Sequence, residues 1–452
     1  MSTPTLSRRR FLARTATAGA VTVVARHVVA GAARRPPSEK LNVAGIGVGG
    51  MGASNLRSLQ RENIVALCDV DHAYAAKTFQ RYPKAKTFKD YRRMLDEQND
   101  IDAVVIATPD HTHAVIAMAC MKAGKHVYCQ KPLTHDVYEA RVLAKAAKDT
   151  GVTTQMGIQG HSKDGCRLVV EWIRAGVIGE VRQVDAWCSL SYYPWGHASW
   201  SSPWAGEVRP KDTPPVPETL DWDLWIGPAA MRPYHPAYHP RVWRCWLDFG
   251  SGMMGDRGAH TLDPVVWALD LGAPTHVEAS SCGQTKEKHA LAAVVTYRFP
   301  ARGNLPPVKL TWYEGVRAPR PPALEEGRIM GDREGGAVFY GSEGQLMCGV
   351  YGGSPRLIPE GRMKDFKPPA PTLPRIRTSH EEEWADACRA GRQADAGFAY
   401  SGPLTEICAL GNVAKRVDGP IEWDAEAMNV TNPTQPDAST LIRTPYREGW
   451  SL

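Results

Sequence analysis

A short apolar run that ends in a glycine-dense turn constrains this chain more than any other feature. Leu41-Asn42-Val43-Ala44-Gly45-Ile46 runs directly into Gly47-Val48-Gly49-Gly50. The run reads as a buried strand, and helix-like sequence follows from Met51 to about Arg61. A second apolar strand, Ile64 to Cys68, ends at Asp69. The alternation continues with a helix near 73–82, a strand at 103–107, a helix at 115–123 and a strand at 126–129. A helix at 136–150 and a strand at 153–156 complete it. Strand, crossover helix and next strand at this spacing predict a doubly wound parallel sheet, an α/β domain over 40–160.

Beyond residue 160 the pattern changes. A helix at 165–175 leads to a strand around 179–191 and then to a long tract rich in Trp, Tyr, His and Pro. Strand-like runs return at 277–282, 292–299 and 308–313, and helix candidates lie at 379–391 and 401–416. This predicts an α+β domain over 161–452 with a large, mainly antiparallel sheet. Pro-rich stretches at 209–217, 300–322 and 367–374 read as surface loops. No internal repeat is present.

The glycine turn carries G-x-G-x-x-G at Gly45, Gly47 and Gly50, with Met51 opening the helix. Glycines let a backbone approach a pyrophosphate, and a helix N-terminus adds N–H donors, so the first domain reads as a Rossmann dinucleotide site. Asp69 at the end of the second strand is placed to accept from ribose hydroxyls. Its charge would repel a 2′-phosphate, and Val70-Asp71 supply no arginine, which favours NAD over NADP. Thr108-Pro109-Asp110-His111-Thr112-His113 and Cys129-Gln130-Lys131-Pro132 follow later strands, at the sheet edge where such folds bind ligands. Asp110, His111, His113 and His135 are explained equally by turn and cap chemistry. Further on, Asp256 and His260 are four apart in Gly250–Asp263 and would share a helix face.

These motifs together resemble the glucose–fructose oxidoreductase, inositol dehydrogenase and MocA (Gfo/Idh/MocA) family, whose members carry a T-P-x-x-x-H turn, an E-K-P turn and a D-x-x-x-H pair. The likeness covers nearly everything after the first 33 residues. It is greatest to an exported subgroup with a Trp-rich second domain, here in Gln155-Met156-Gly157, Leu220–Pro228 and Trp243-Arg244. The resemblance implies that Lys131 hydrogen-bonds the hydroxyl being oxidised, that His260 is the general base, and that Asp256 orients it or binds a neighbouring hydroxyl. It places Thr108, Pro109, His113 and Gln130 with Lys131 at the cofactor. Gln130 departs from the family by replacing the usual glutamate, so the turn lacks the carboxylate that would tune Lys131. The expected function is oxidation of a sugar hydroxyl with NAD. An NAD-dependent glycosidase working by transient oxidation and elimination shares the site, and a non-catalytic NAD-containing sugar-binding protein is the reading from another class. The family resemblance also implies a homo-oligomer.

Composition narrows the partners. Of a net +6, five charges sit on Arg8, Arg9, Arg10, Arg14 and Arg26, leaving a body near neutrality without a global cationic field for nucleic acid. Ser7-Arg8-Arg9-Arg10-Phe11-Leu12, a weakly apolar stretch and Ala30-Gly31-Ala32 resemble a twin-arginine export signal over 1–33. The expected partner in export is the twin-arginine translocase and the expected location is periplasmic. No later apolar run approaches the roughly 20 residues of a membrane span, so no membrane association is expected after signal removal. The ten cysteines form no CxxC; Cys68, Cys129 and Cys188 read as buried thiols, and no structural zinc is expected. Ten of 14 tryptophans fall between Trp172 and Trp267. As a group they favour a carbohydrate, with Tyr192, Trp195, His197, Trp200, Trp204 and Arg244 as substrate candidates.

Overall fold

A computed structural model describes residues 39–192, 209–417, 419–432 and 436–452. The apolar runs form parallel strands because their Val, Ile, Ala and Leu side chains are buried on both faces. β1 (Asn42–Ile46), β2 (Asn63–Cys68), β3 (Lys86–Phe88), β4 (Ala103–Ile106), β5 (His126–Cys129) and β6 (Thr154–Met156) lie in the order β3-β2-β1-β4-β5-β6. All of the pairings between them are parallel. The order reverses at β1, whose neighbours are β2 and β4, and this opens a crevice at the carboxyl ends.

The crossovers are α1 (Met51–Ser58), α2 (His72–Arg81), α3 (Tyr91–Glu97), α4 (Asp110–Lys122) and α5 (Val137–Thr150). The Asp71 carboxylate caps α2, accepting from Ala73 and Tyr74 N–H. Asp136 and Glu139 form a capping box on α5, which ends at left-handed Gly151. β3 and α3 were not anticipated, since Lys86-Thr87-Phe88 holds no apolar run. α4 begins five residues earlier than its periodicity suggested, with Pro109 as its N-cap.

The second half adds α6 (Asp164–Arg174), β7 (Val181–Cys188), α7 (Trp222–Ile226) and α8 (Ala259–Leu269), then β8 (His276–Cys282), β9 (Ala292–Phe299) and β10 (Val308–Glu314). β11 (Gly335–Gly341), β12 (Gly344–Gly349) and β13 (Arg356–Ile358) follow, then α9 (His380–Ala390), α10 (Phe398–Arg416), β14 (Ile421–Asp424) and β15 (Asn429–Val430). The nine strands run β13-β12-β11-β7-β10-β9-β8-β14-β15, antiparallel except for β7 beside β10. The β11–β12 hairpin was not among the expected strands, and glycines stand at the ends of both its strands. They are required by packing: a Cβ on Gly335 would lie 2.2 Å from the Trp187 carbonyl oxygen.

α9 packs back across the expected division at residue 160. Trp384, Ala385, Ala387 and Cys388 share a core with Leu41, Val43, Val105 and Tyr128, so this late helix covers the first sheet. Residues 41–452 pack as one unit. The ten cysteines are free thiols, nine of them buried, Cys68, Cys129 and Cys188 included.

Candidate active site

At the end of β1 the chain turns at Gly47, whose φ of +77° favours glycine. A Cβ there would lie 2.7 Å from the Ala107 carbonyl carbon, one on Gly49 would lie 2.1 Å from the Tyr74 ring, and one on Gly52 would lie 2.2 Å from the Gly47 carbonyl oxygen. Gly45 instead sits inside β1, paired with Leu67 and Val105, and is absent from the cavity wall. The fingerprint therefore reads at 47, 49 and 52 rather than at 45, 47 and 50. Clustered glycines fit either register, and only the point where the strand ends selects one. Gly50 precedes α1 without a side-chain cap, which leaves the first helical N–H groups open toward the cavity that Gly50 and Met51 line. Asp69 lines it too, and its carboxylate clamps the loop by accepting from Val48, Gly49 and Asp71 N–H at 2.8, 3.0 and 3.0 Å. Burial pushes this carboxyl up to about 6 despite those three donors.

The cavity, about 780 Å³, runs along the carboxyl ends of the strands and is closed from the other side by the second half of the chain. Thr108, Pro109, Gln130 and Lys131 line it from the first half, and Arg244, Asp256, Arg257, His260 and Tyr351 from the second. The Lys131 ammonium donates to Asp256 Oδ1 at 2.8 Å, Arg244 Nε donates to the same oxygen at 3.3 Å, and the Tyr192 hydroxyl donates to Oδ2 at 2.8 Å. Burial alone would raise the Asp256 carboxyl, but the Lys131 and Arg244 cations outweigh it and hold the group at about 2. The acid missing from the turn before Lys131 is thus supplied by Asp256.

Two expected roles change here. Asp256 has no hydrogen bond to His260 among the described residues, because Met254–Gly258 is a π-turn, which breaks the four-residue overlap of an α-helix. Tyr192 is buried behind Asp256 and does not line the cavity, so it supports the carboxylate rather than facing a substrate. Arg244 does line it, held over the Trp243 ring at 4.2 Å. His260 packs against Tyr351 at 4.7 Å, and its buried Nδ1 has no partner among the described residues. Burial, then the Lys131 and Arg257 cations, hold its pKa well below that of a free histidine, so the ring is neutral.

His113 is a further correction. It is buried off the cavity, with Nδ1 2.8 Å from the Pro132 carbonyl and Nε2 2.9 Å from the Thr108 carbonyl, and so ties together the two turns that line the site. His111 and His135 likewise hold backbone carbonyls of Phe249, Trp225 and Gly250. Trp195, His197, Trp200 and Trp204 lie outside the described residues. Of the other tryptophans in that group, Trp172, Trp187, Trp222, Trp225, Trp243 and Trp246 are buried, which makes them chiefly core.

Sequence reasoning missed one carboxyl group and left a second undecided. Glu381 on α9 accepts from Asn55 Nδ2 at 2.7 Å, and Asn55 Oδ1 accepts from Gln130 Nε2 at 3.1 Å. A carboxylate accepts only, so the chain has one polarity and leaves Gln130 Oε1 as the free acceptor beside Lys131. Nothing local links Glu381 to the turn it serves. Asp110, the first residue of α4, accepts from Ser251 N–H at 2.9 Å and lines the cavity. Burial and then the Asp256 charge push it up to about 7, against Lys131 and Arg244. Turn and cap chemistry explains this acid equally well at the level of sequence.

A folded pKa near 7 against an ordinary value of about 3.9 means that this proton is held more tightly in the folded state. The stability it contributes is full below about pH 4 and lost as pH rises through about 7. Asp69 acts in the same direction up to about pH 6. Asp110→Asn keeps the acceptor for Ser251 and cannot ionise, so it should raise Tm more at pH 8 than at pH 5, by about 2 °C or more. Equal increments at the two pH values, measured by thermal unfolding, would show that Asp110 does not titrate in this range.

A family described as oxidoreductase, NAD-binding Rossmann fold matches residues 41–158, and its C-terminal alpha/beta domain matches 193–303, together half of the chain. The levoglucosan dehydrogenase of Pseudarthrobacter phenanthrenivorans is 31% identical over 115 residues, 25% of this chain and 29% of that protein. The myo-inositol 2-dehydrogenase of Thermotoga maritima is 26% identical over 142 residues, 31% of this chain and 42% of that protein. The chain thus matches less than half the length of either. Among solved structures, the WlbA dehydrogenase of Bordetella pertussis with NADH and UDP-GlcNAcA has a TM-score of 0.59 at 16% identity, covering 85% of this chain and 99% of that one. A levoglucosan dehydrogenase with NADH has a TM-score of 0.56 at 18% identity, covering 84% and 98%. At these identities the likeness shows the fold alone. With both matched domains in the order and architecture described above, the chain belongs to the Gfo/Idh/MocA oxidoreductase family.

Proposed function

We propose that this protein oxidises a hydroxyl of a sugar or sugar derivative with NAD. One observation carries the reading: the Lys131–Asp256 pair and a neutral His260 line the same cavity as the glycine loop. The loop fits a dinucleotide, because side chains at Gly47 and Gly49 would strike backbone and Tyr74, and the uncapped start of α1 faces the cavity. Gly47, Gly49, Gly50 and Asp69 would hold the pyrophosphate and ribose, and Thr108, Pro109 and Gln130 the nicotinamide half. When bound, the cofactor accepts the hydride that an alcohol carbon loses.

The remaining chemistry belongs to the chain. The Lys131 ammonium donates to the substrate oxygen and stabilises the negative charge that grows there, while Asp256 holds it in place. The His260 ring takes the hydroxyl proton, for which a neutral imidazole is required. Arg244 adds donors for neighbouring hydroxyls. Relatives named for levoglucosan and inositol support a polyhydroxylated ring as substrate. Residues 1–33 support twin-arginine export to the periplasm as part of the proposal.

The test is to incubate the purified protein with NAD and a panel of sugars, polyols and glycosides, following NADH absorbance and released aglycone together. NADH is expected to accumulate with at least one sugar or polyol. No reduction with any compound, or aglycone release without net NADH, would overturn the reading.

A further inference from the structure

The cavity continues well past the reacting end. Strand order places β2 and β3 on one side of β1, and β4 and β5 on the other. The wall therefore runs from Lys131, after β5, to Asp90 and Tyr91, after β3. At that far end Trp450 joins the wall, half-buried, with the Arg92 guanidinium 5.0 Å from its ring centroid.

Trp450 is delivered by a segment tied down at several points. Tyr138 N–H donates to the Ile442 carbonyl at 3.1 Å, and Thr444 N–H donates to Asp136 Oδ2 at 2.7 Å. Arg447 spans the other side, Nη1 donating to Asp223 Oδ1 at 2.8 Å and Nε to the Gly227 carbonyl at 2.6 Å. Its own N–H donates to the Pro228 carbonyl at 3.0 Å. Beneath the segment lies a second hollow of about 480 Å³, and Trp450 is the wall shared by the two cavities. The segment is thus held by polar anchors on either side of a hollow, with Ile442 in the core and Tyr446 and Trp450 packed against it.

We infer that residues 442–450 form a strap across the adenosine half of the dinucleotide, with Trp450 presenting its ring to the adenine base. The inference rests on the NAD reading above. It follows from position and chemistry: Asp69, Asp90 and Tyr91 mark the adenosine end, and an aromatic face stacks with any base. Arg92 and Arg447, whose guanidinium lies 5.8 Å from the same ring, hold it in place.

Calorimetric titration of the full chain with NAD, ADP-ribose and nicotinamide mononucleotide separates the outcomes. Trp450→Ala should weaken NAD and ADP-ribose by the same factor, at least about tenfold, and leave the mononucleotide unchanged. Trp450→Phe should stay within about threefold of the parent, because a planar ring is retained. Arg447→Ala, at a position absent from the main cavity wall, should weaken ADP-ribose in the same direction by a smaller factor. Unchanged ADP-ribose affinity in Trp450→Ala, or equal weakening of all three ligands, overturns the strap. A parent protein that binds neither NAD nor ADP-ribose overturns the NAD reading itself and is recognised before any variant is measured.

Discussion

Lys131→Met is expected to lower turnover by about 10²–10³-fold while leaving the fold and NAD affinity in place. A fixed donor aimed at a developing oxyanion is worth roughly 2.7–4 kcal/mol, and methionine keeps the bulk of the stem without the charge. The fold should survive because Asp256 retains Arg244 at 3.3 Å and the Tyr192 hydroxyl at 2.8 Å, so no buried carboxylate is stranded. The loss belongs in kcat and kcat/KM alike, since the interaction grows only as the alcohol loses its proton. His260→Ala should cost about tenfold or more on the same measure, with water as a poorer proton acceptor. Steady-state kinetics beside an NAD titration decide this, and a Lys131→Met enzyme within threefold of the parent removes the ammonium from the mechanism.

Asp256→Asn is expected to have the second large effect, on stability and activity together. The Lys131 and Arg244 cations converge on one carboxylate that is 4% exposed, and the amide leaves both without an anion. Breaking a fully buried pair costs about 3–5 kcal/mol, but Lys131 and Arg244 are 15% and 23% exposed to the cavity, so about 1–3 kcal/mol is expected here. The Asp256 carboxyl is held at about 2, below its ordinary value, so its contribution is full above about pH 4 and is lost as pH falls through about 2. Denaturant unfolding should therefore show the full deficit at pH 7 and a shrinking one below pH 4. Asp110 would also lose its like-charged neighbour and ionise at lower pH, becoming the anion between the same two cations. A pH-independent deficit, or none, would show that Asp256 does not carry the charge that organises the site.

The alternation of β1 to β6 was legible because period and length report burial locally, without knowledge of any partner. So were the turns at Thr108 and Lys131, which only needed strands to end where they do. The short β3 was not, since it is a largely exposed edge strand without an apolar run, nor were the glycine-rich β11–β12 hairpin and the true extent of α4, whose burial comes from distant residues that cover them. Lys131 and His260 were picked out by residue type and family likeness. Their surroundings were not visible, because Asp256 meets Lys131 only through a π-turn 125 residues away.

The sequence by itself determined that a glycine turn, a lysine turn and a histidine stand on a doubly wound sheet and its partner domain. Local rules suffice for that: strand periodicity, the steric freedom of glycine and the placement of loops at strand ends. Tertiary structure alone decided which glycines cradle, that His113 braces two turns, that Glu381 orients Gln130 and that Trp450 reaches the cavity. Those outcomes depend on contacts between segments up to several hundred residues apart, and hydrogen-bond and charge pairing over such separations is set by packing rather than by any local pattern.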